Sequence, residues 1–213
     1  MVQIIPAILA TSEEQYKNDL SKLENSSLRD NWVHIDFADN KFVPNKTIEP
    51  EVIQKFPTNF RKEAHLMVTY PKEWIDKLVD ADFERIIFHI ESDDNILEAL
   101  EYIKNKGLEI GLAINKESPI AKLEQFVDKI DVILVMIIVP GFQGQPFIPQ
   151  TLDKVREIKS KNWPVKVGVD GAVHDTNAKE VVESGVDFMI VGSYLLNGDV
   201  DKNLERIWEV ING

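Results

Sequence analysis

Residues 85–114 read RIIFHIESDDNILEALEYIKNKGLEIGLAI, and this stretch decides the fold. Residues 85–90 form a short apolar, β-branched run. A polar turn follows, and then residues 95–106 carry Ile96, Leu100 and Ile103 at helical spacing. Gly107 stands where a helix end favours glycine. Residues 109–114 open a second β-like run. A strand, a helix and another strand this close together imply parallel strands joined by a right-handed crossover.

The same unit recurs in both directions along the chain. The runs 4–9, 32–37, 63–68, 85–90, 109–114, 131–138, 165–170 and 188–193 read as strands. Helical patterns lie near 13–23, 72–79, 95–106, 120–126, 149–161, 176–184 and 201–211, with a short helix at 50–56. Thr11 with Glu14 fits a capping box, and Gly185 sits at another helix end. About eight such units in 213 residues predict an α/β fold, a single (β/α)8 barrel spanning residues 1–213 as one catalytic domain. The rival is an open doubly wound sheet. Its dinucleotide fingerprint is absent, because the first strand–helix turn, residues 6–12, holds no glycine.

Composition narrows the function. Hydrophobic residues make up 44% and charged residues 28%, which describes a folded chain rather than a disordered one. Cysteine is absent, so disulfides, thiolate nucleophiles and Cys-ligated zinc are excluded. The apolar run 132–140 is well short of the ~20 residues of a membrane span. No basic segment precedes the apolar N-terminal stretch, so a cytoplasmic location is expected. With 24 basic and 36 acidic residues the formal charge is -12, which argues against nucleic acid or an anionic membrane as partner. A small anionic ligand remains compatible, provided it is held locally.

Barrel chemistry gathers where strands end. The second strand reads WVHIDFAD, with His34 and Asp36 two residues apart and therefore on one face. The third reads EAHLMV, with His65 and Met67 on one face, and the seventh reads VKVGVDG and ends in Asp170. Two imidazoles and two carboxylates form a donor set for a divalent ion such as Zn, Mn, Fe(II) or Co. Such an ion stabilises negative charge on a substrate oxygen, and two Asp flanking a substrate suit base and acid roles. The plainer alternative is a hydrogen-bonded core His and an N-capping Asp. His89 and His174 read as structural, the four tryptophans as packing residues, and Glu91–Asp94 as solvated surface.

Three later loops read PGFQGQPF (140–147), DGAVHD (170–175) and GSYLLNGD (192–199), and none contains Lys or Arg. Gly141, Gly144, Gly171 and Gly192 would let main-chain N–H groups approach an anion, such as a phosphate near strands seven and eight. Tight turns alone would also explain them.

Taken in order, these blocks resemble the ribulose-phosphate 3-epimerase family over essentially the whole chain. The resemblance rests on IIPAIL (4–9), HIDFADNKFVPNKTI (34–48), HLMVTYPKEWI (65–75), FHIES (88–92), GLAIN (111–115), VGVDGAV (167–173) and VGSYLL (191–196). It also rests on the long block VILVMIIVPGFQGQPFIPQTLDKV (132–155). It implies metal-dependent epimerisation at C3, interconverting D-ribulose 5-phosphate and D-xylulose 5-phosphate. His34, Asp36, His65 and Asp170 correspond to the metal ligands, and Asp36 and Asp170 to the acid/base pair. Gly141, Phe142, Gln143, Gly144, Gly171, Ala172, Gly192 and Ser193 correspond to substrate and phosphate contacts. Met67 and Met136 match methionines near the reacting carbons, and His65 also adjoins the substrate. Members of the family commonly assemble, so a homo-oligomer is compatible.

The chain departs from the family pattern at Ala7 (usually Ser), Ala38 (usually Met), Asn40 (usually Gly), Val139 (often acidic), Gln143 and Ala172 (commonly Gly). These changes keep two other functions in play. One is 3-epimerisation of a ketohexose 6-phosphate such as D-allulose 6-phosphate, for which Ala38 would make room. The other is a non-catalytic phosphosugar-binding barrel, against which the intact four-residue donor set argues.

Overall fold

Alternate side chains of each strand serve two different cores. On β2 (Trp32–Ala38), Val33, Ile35 and Phe37 are buried with helix residues such as Leu20, Leu23 and Ile75. The intervening Trp32, His34, Asp36 and Ala38 point the other way, into the centre of a closed sheet. A computed structural model describes residues 2–28, 31–142 and 144–213. Its eight strands run in chain order around a closed barrel, each parallel to its neighbours. The open-sheet rival is thereby excluded.

The order is β1 (Gln3–Ile8), α1 (Glu13–Glu24), β2, α2 (Pro50–Ile53), β3 (Arg61–Met67), α3 (Ile75–Asp80), β4 (Phe83–His89), α4 (Ile96–Asn105) and β5 (Glu109–Ile114). Then follow β6 (Val132–Met136), α5 (Thr151–Ser160), β7 (Lys166–Asp170), α6 (Ala178–Glu183), β8 (Phe188–Val191), α7 (Ser193–Leu196) and α8 (Val200–Asn212). Among the described residues no helix is long and apolar enough to cross a membrane.

Several expected elements differ in detail. The helix expected over 120–126 is a single 3-10 turn, Ile120–Leu123, which points Ile120 and Leu123 together into the core. The helix expected over 72–79 divides into a 3-10 turn, Pro71–Trp74, and α3. The eighth strand stops at Val191 because the chain turns at Gly192 into α7, which the sequence pattern had not marked. The cap of α1 is shifted by one residue from Thr11 and Glu14. Ser12 Oγ accepts from Gln15 N at 3.2 Å, and Gln15 Oε1 accepts from Thr11 N at 3.0 Å. Gly107 and Gly185 do end their helices, at φ +78° and +93°.

A plug of Ile87, Leu134, Phe188 and Ile190 fills the barrel axis. Gly168 on β7 makes this possible: a Cβ there would sit 2.2 Å from the Phe188 ring. Beneath the plug, at the N-terminal ends of the strands, lies an ion network. Arg85 Nη1 donates to Glu63 Oε2 at 2.6 Å, and Arg85 Nε donates to Glu109 Oε2 at 2.9 Å. The guanidinium carbons of Arg61 and Arg85 lie 4.0 and 4.1 Å from the Trp32 ring centre. Trp32 is thus a packing residue, here in contact with two guanidinium groups.

Candidate active site

The strand register brings the four candidate ligands together. Asp36 pairs with His65 across β2 and β3, and His34 pairs with Ala7 and with Glu63. On the far side, Asp170 pairs with Met136 across β6 and β7. Strands β2 and β7 are separated by β1 and β8, so their carboxylates reach the axis from different sides. One donor atom from each of His34, Asp36, His65 and Asp170 lies within 4.8 Å of the others. His65 Nδ1 is 2.9 Å from Asp36 Oδ1 and 3.3 Å from Asp170 Oδ2. His34 Nε2 is 3.4 Å from Asp36 Oδ1 and 4.0 Å from Asp170 Oδ2.

Burial makes this grouping costly unless its charges are matched. His34 and His65 are wholly buried. Burial opposes their protonation, yet the adjoining carboxylates outweigh it. Asp36 and Glu63 push His34 well up, and Asp170 and Asp36 push His65 up. Burial likewise opposes ionisation of Asp36, but the His34 and His65 imidazoles hold its carboxyl well below the usual range. One atom stays unmatched. His34 Nε2 is buried, faces the cluster and has no hydrogen-bond partner among the described residues. A divalent cation at the centre would take that lone pair together with His65 Nδ1 and the two carboxylates, so the donor set and the orphaned nitrogen both fit one.

Above the cluster opens a cavity of about 460 Å³, counted out to its open side. Asp36 and Asp170 form part of its base, beside Met67, Met136 and Ala7. Its rim is made by Gly141, Phe142, Gly144, Gly171, Ala172, Gly192 and Ser193. Every described residue expected in the site is therefore in the cluster or in the cavity wall; Gln143 lies outside the described residues. No Lys or Arg lines the cavity among the described residues. Gly171 adopts φ +114°, and a Cβ there would lie 2.3 Å from Ile138. Ala172 follows at φ +48°, a strained conformation for alanine. Asn40, where the family pattern has Gly, sits at φ +59°, which Asn tolerates.

Sequence reading passed over several contributors. Leu9, Ile138 and Pro140 also line the cavity. Asp39 accepts from Lys41 N and Phe42 N, both at 2.8 Å, and from Thr69 N at 2.7 Å, which ties the β2 and β3 loops together. Asn45 Nδ2 donates to Gly141 O at 2.7 Å, tying the loop after β2 to the cavity rim at Gly141. Both lie in the DNKFVPN segment, whose Asx-type spacing was a usable signal. Glu91 corrects a reading: it is not solvated surface. Its Oε2 lies 3.2 Å from His89 Nδ1, and its Oε1 accepts from Asn115 N at 3.0 Å. His174, by contrast, lies beside Thr176 and Tyr194, away from the cluster.

A profile of the ribulose-phosphate 3 epimerase family matches residues 3–196. The chain belongs to that family. It is thus an isomerase of the racemase and epimerase class. It is 33% identical over 97% of its length to the ribulose-phosphate 3-epimerase of Chlamydia muridarum, covering 93% of that protein. It is 34% identical over 91% of its length to the ribulose-phosphate 3-epimerase of Escherichia coli K12, covering 88%. Solved structures with little sequence likeness share the barrel. The KGPDC structure from Streptococcus mutans superposes with TM-score 0.74 at 12% identity, over 100% of this chain and 98% of that one. The 3-hexulose-6-phosphate synthase structure from Salmonella typhimurium superposes with TM-score 0.72 at 14% identity, over 99% of each chain.

Proposed function

We propose that this epimerase interconverts D-ribulose 5-phosphate and D-xylulose 5-phosphate, with a divalent cation held by His34, Asp36, His65 and Asp170. The observation that supports it best is the convergence of two carboxylates from separated strands, with the orphaned His34 Nε2, at the base of a cavity whose described lining holds no Lys or Arg. When bound, the ion supplies positive charge beside the substrate oxygens, and two N and two O donors suit Zn, Mn, Fe(II) or Co.

Inversion beside a carbonyl requires that the C3 proton leave one face and that a proton arrive on the other. Asp36 and Asp170 approach from different sides of the axis, so one accepts the proton from C3 while the other donates to the opposite face. The electron pair left on carbon passes into an enediolate, and the reverse transfers restore either epimer. No organic cofactor is needed. Met67 and Met136 pack beside the reacting carbons and exclude water. The 5-phosphate takes backbone N–H groups around Gly171, Ala172, Gly192 and Ser193, with the Gly141–Phe142 turn above. Main-chain donors resolve the conflict between an anionic ligand and a chain of formal charge -12.

The test is turnover on pentose and hexose ketose phosphates before and after chelation and desalting. Pentose 5-phosphate activity should vanish and return with a stoichiometric divalent ion. Full turnover by metal-free protein would overturn the cation assignment. Preference for a ketohexose 6-phosphate would overturn the substrate.

A further inference from the structure

We propose that two carboxylates outside the cluster, the buried Glu63 and the half-buried Glu91, lock the two ligand imidazoles in opposite tautomers, Glu63 directly and Glu91 through His89. The inference rests on the reading of the cluster as a cation site and adds three positioning residues to it.

The geometry follows from counting hydrogens. His34 Nδ1 lies 2.7 Å from Glu63 Oε1, so it carries the hydrogen and Nε2 is left as a lone pair facing the cluster. His65 is oriented the other way round. Its Nδ1 faces Asp36 and Asp170, while its Nε2 lies 3.0 Å from His89 Nε2. Two ring nitrogens at that distance share one hydrogen. If His89 donates, His65 must carry its own hydrogen on Nδ1, which blocks the cluster. If His65 donates, its Nδ1 lone pair is free.

Glu91 decides between these alternatives. A carboxylate 3.2 Å from His89 Nδ1 requires a hydrogen there, so neutral His89 has its lone pair on Nε2 and accepts from His65. The opposite arrangement would set a lone pair against the carboxylate. Each outer carboxylate is itself fixed. Glu63 Oε2 accepts from Arg85, and Glu91 Oε1 accepts from Asn115 N. Lys154 Nζ donates to Asn115 O at 2.9 Å, which pins the loop after β5. His89 is wholly buried and stacked on His65 at 5.1 Å, with the Phe42 ring tilted against it at 4.8 Å. The assembly is therefore a pair of independent relays, Glu63–His34 and Glu91–His89–His65.

The test uses the full chain, 15N-labelled at histidine and loaded with Zn(II). With four histidines in the chain, long-range 1H–15N spectra assign each tautomer. Hydrogens are expected on His34 Nδ1, His65 Nε2 and His89 Nδ1; a hydrogen on His89 Nε2 overturns the proposal. Glu91→Gln should move the His65 and His89 signals and leave His34 in place, while Glu63→Gln should do the reverse. In chelator competition, Glu63→Gln, Glu91→Gln and His89→Phe should each weaken Zn(II) binding by about 10–100-fold. Unchanged affinity in all three overturns the relays while the cation site stands. Failure of the wild-type chain to take up stoichiometric Zn(II) removes the cation site and the relays with it. The wild-type spectra keep the proposal falsifiable where a variant fails to fold.

Discussion

The barrel interior holds charge at both ends, and the two ends are built on opposite plans. At the N-terminal end Arg85 is bracketed by Glu63 and Glu109 and stacked on Trp32. Arg85, Glu63 and Glu109 each have a partner there, so this network holds three neighbouring strands together. At the C-terminal end two carboxylates and two imidazoles crowd within 4.8 Å, and one buried nitrogen has no partner. A folded protein tolerates such a mismatch where a ligand resolves it. Glu63 joins the two ends, taking Arg85 on one oxygen and His34 on the other.

That contrast can be broken from either end. The largest effect belongs to the upper end. Asp36→Asn and Asp170→Asn should each lower kcat by roughly 100- to 10,000-fold while far-UV circular dichroism stays that of the wild type. Near-normal turnover in either variant would remove the two-base assignment. At the lower end the effect should fall on stability. Arg85→Met leaves Glu63 buried without its cation and should cost about 3–5 kcal/mol in urea unfolding. A cost below about 1 kcal/mol would show that the network is not coupled.

Asp39 sharpens the comparison with a milder, pH-dependent effect. Burial favours its neutral form, but the backbone N–H groups of Thr69, Phe42 and Lys41 outweigh this and hold its carboxyl low. A folded-state value below the unfolded one of ~3.9 gives stabilisation that is complete above that pH and drains away as pH falls through the folded value. Asp39→Asn should therefore cost about 1 kcal/mol at neutral pH, the site being partly exposed, and progressively less as pH falls below ~3.9. A gap that stays constant over that range would mean the charge is not the source. The smallest effect is at Ala172. Ala172→Gly relieves the left-handed strain but frees the unfolded chain, so stability should change by less than about 1 kcal/mol. Substrate KM should fall or hold; a rise would mean that the methyl group contributes to binding.

The fold was legible because strand runs of period two and helical segments of period 3.6 alternate along most of the chain. His34 and Asp36 were legible as a pair because alternate strand residues share a face, and Asp170 because it ends a strand. The outer carboxylates were not. Glu91 sits in ESDD, a stretch whose polarity resembles any exposed turn, and the return of the β5 loop half-buries it and holds its carboxylate. Glu63, Arg85 and Glu109 lie on three different strands, and their meeting depends on register, which no local pattern encodes. The 3-10 turn at Ile120–Leu123 was read as a helix because apolar residues three apart fit both geometries.

The central claim is that two carboxylates act on opposite faces of one carbon. Epimerisation in deuterated water, starting from D-ribulose 5-phosphate with protium at C3 and stopped at early conversion, tests it most directly. The account predicts product carrying deuterium at C3 while the remaining substrate keeps its protium. Product that retains the substrate's own hydrogen would point to a single shuttling base and contradict it.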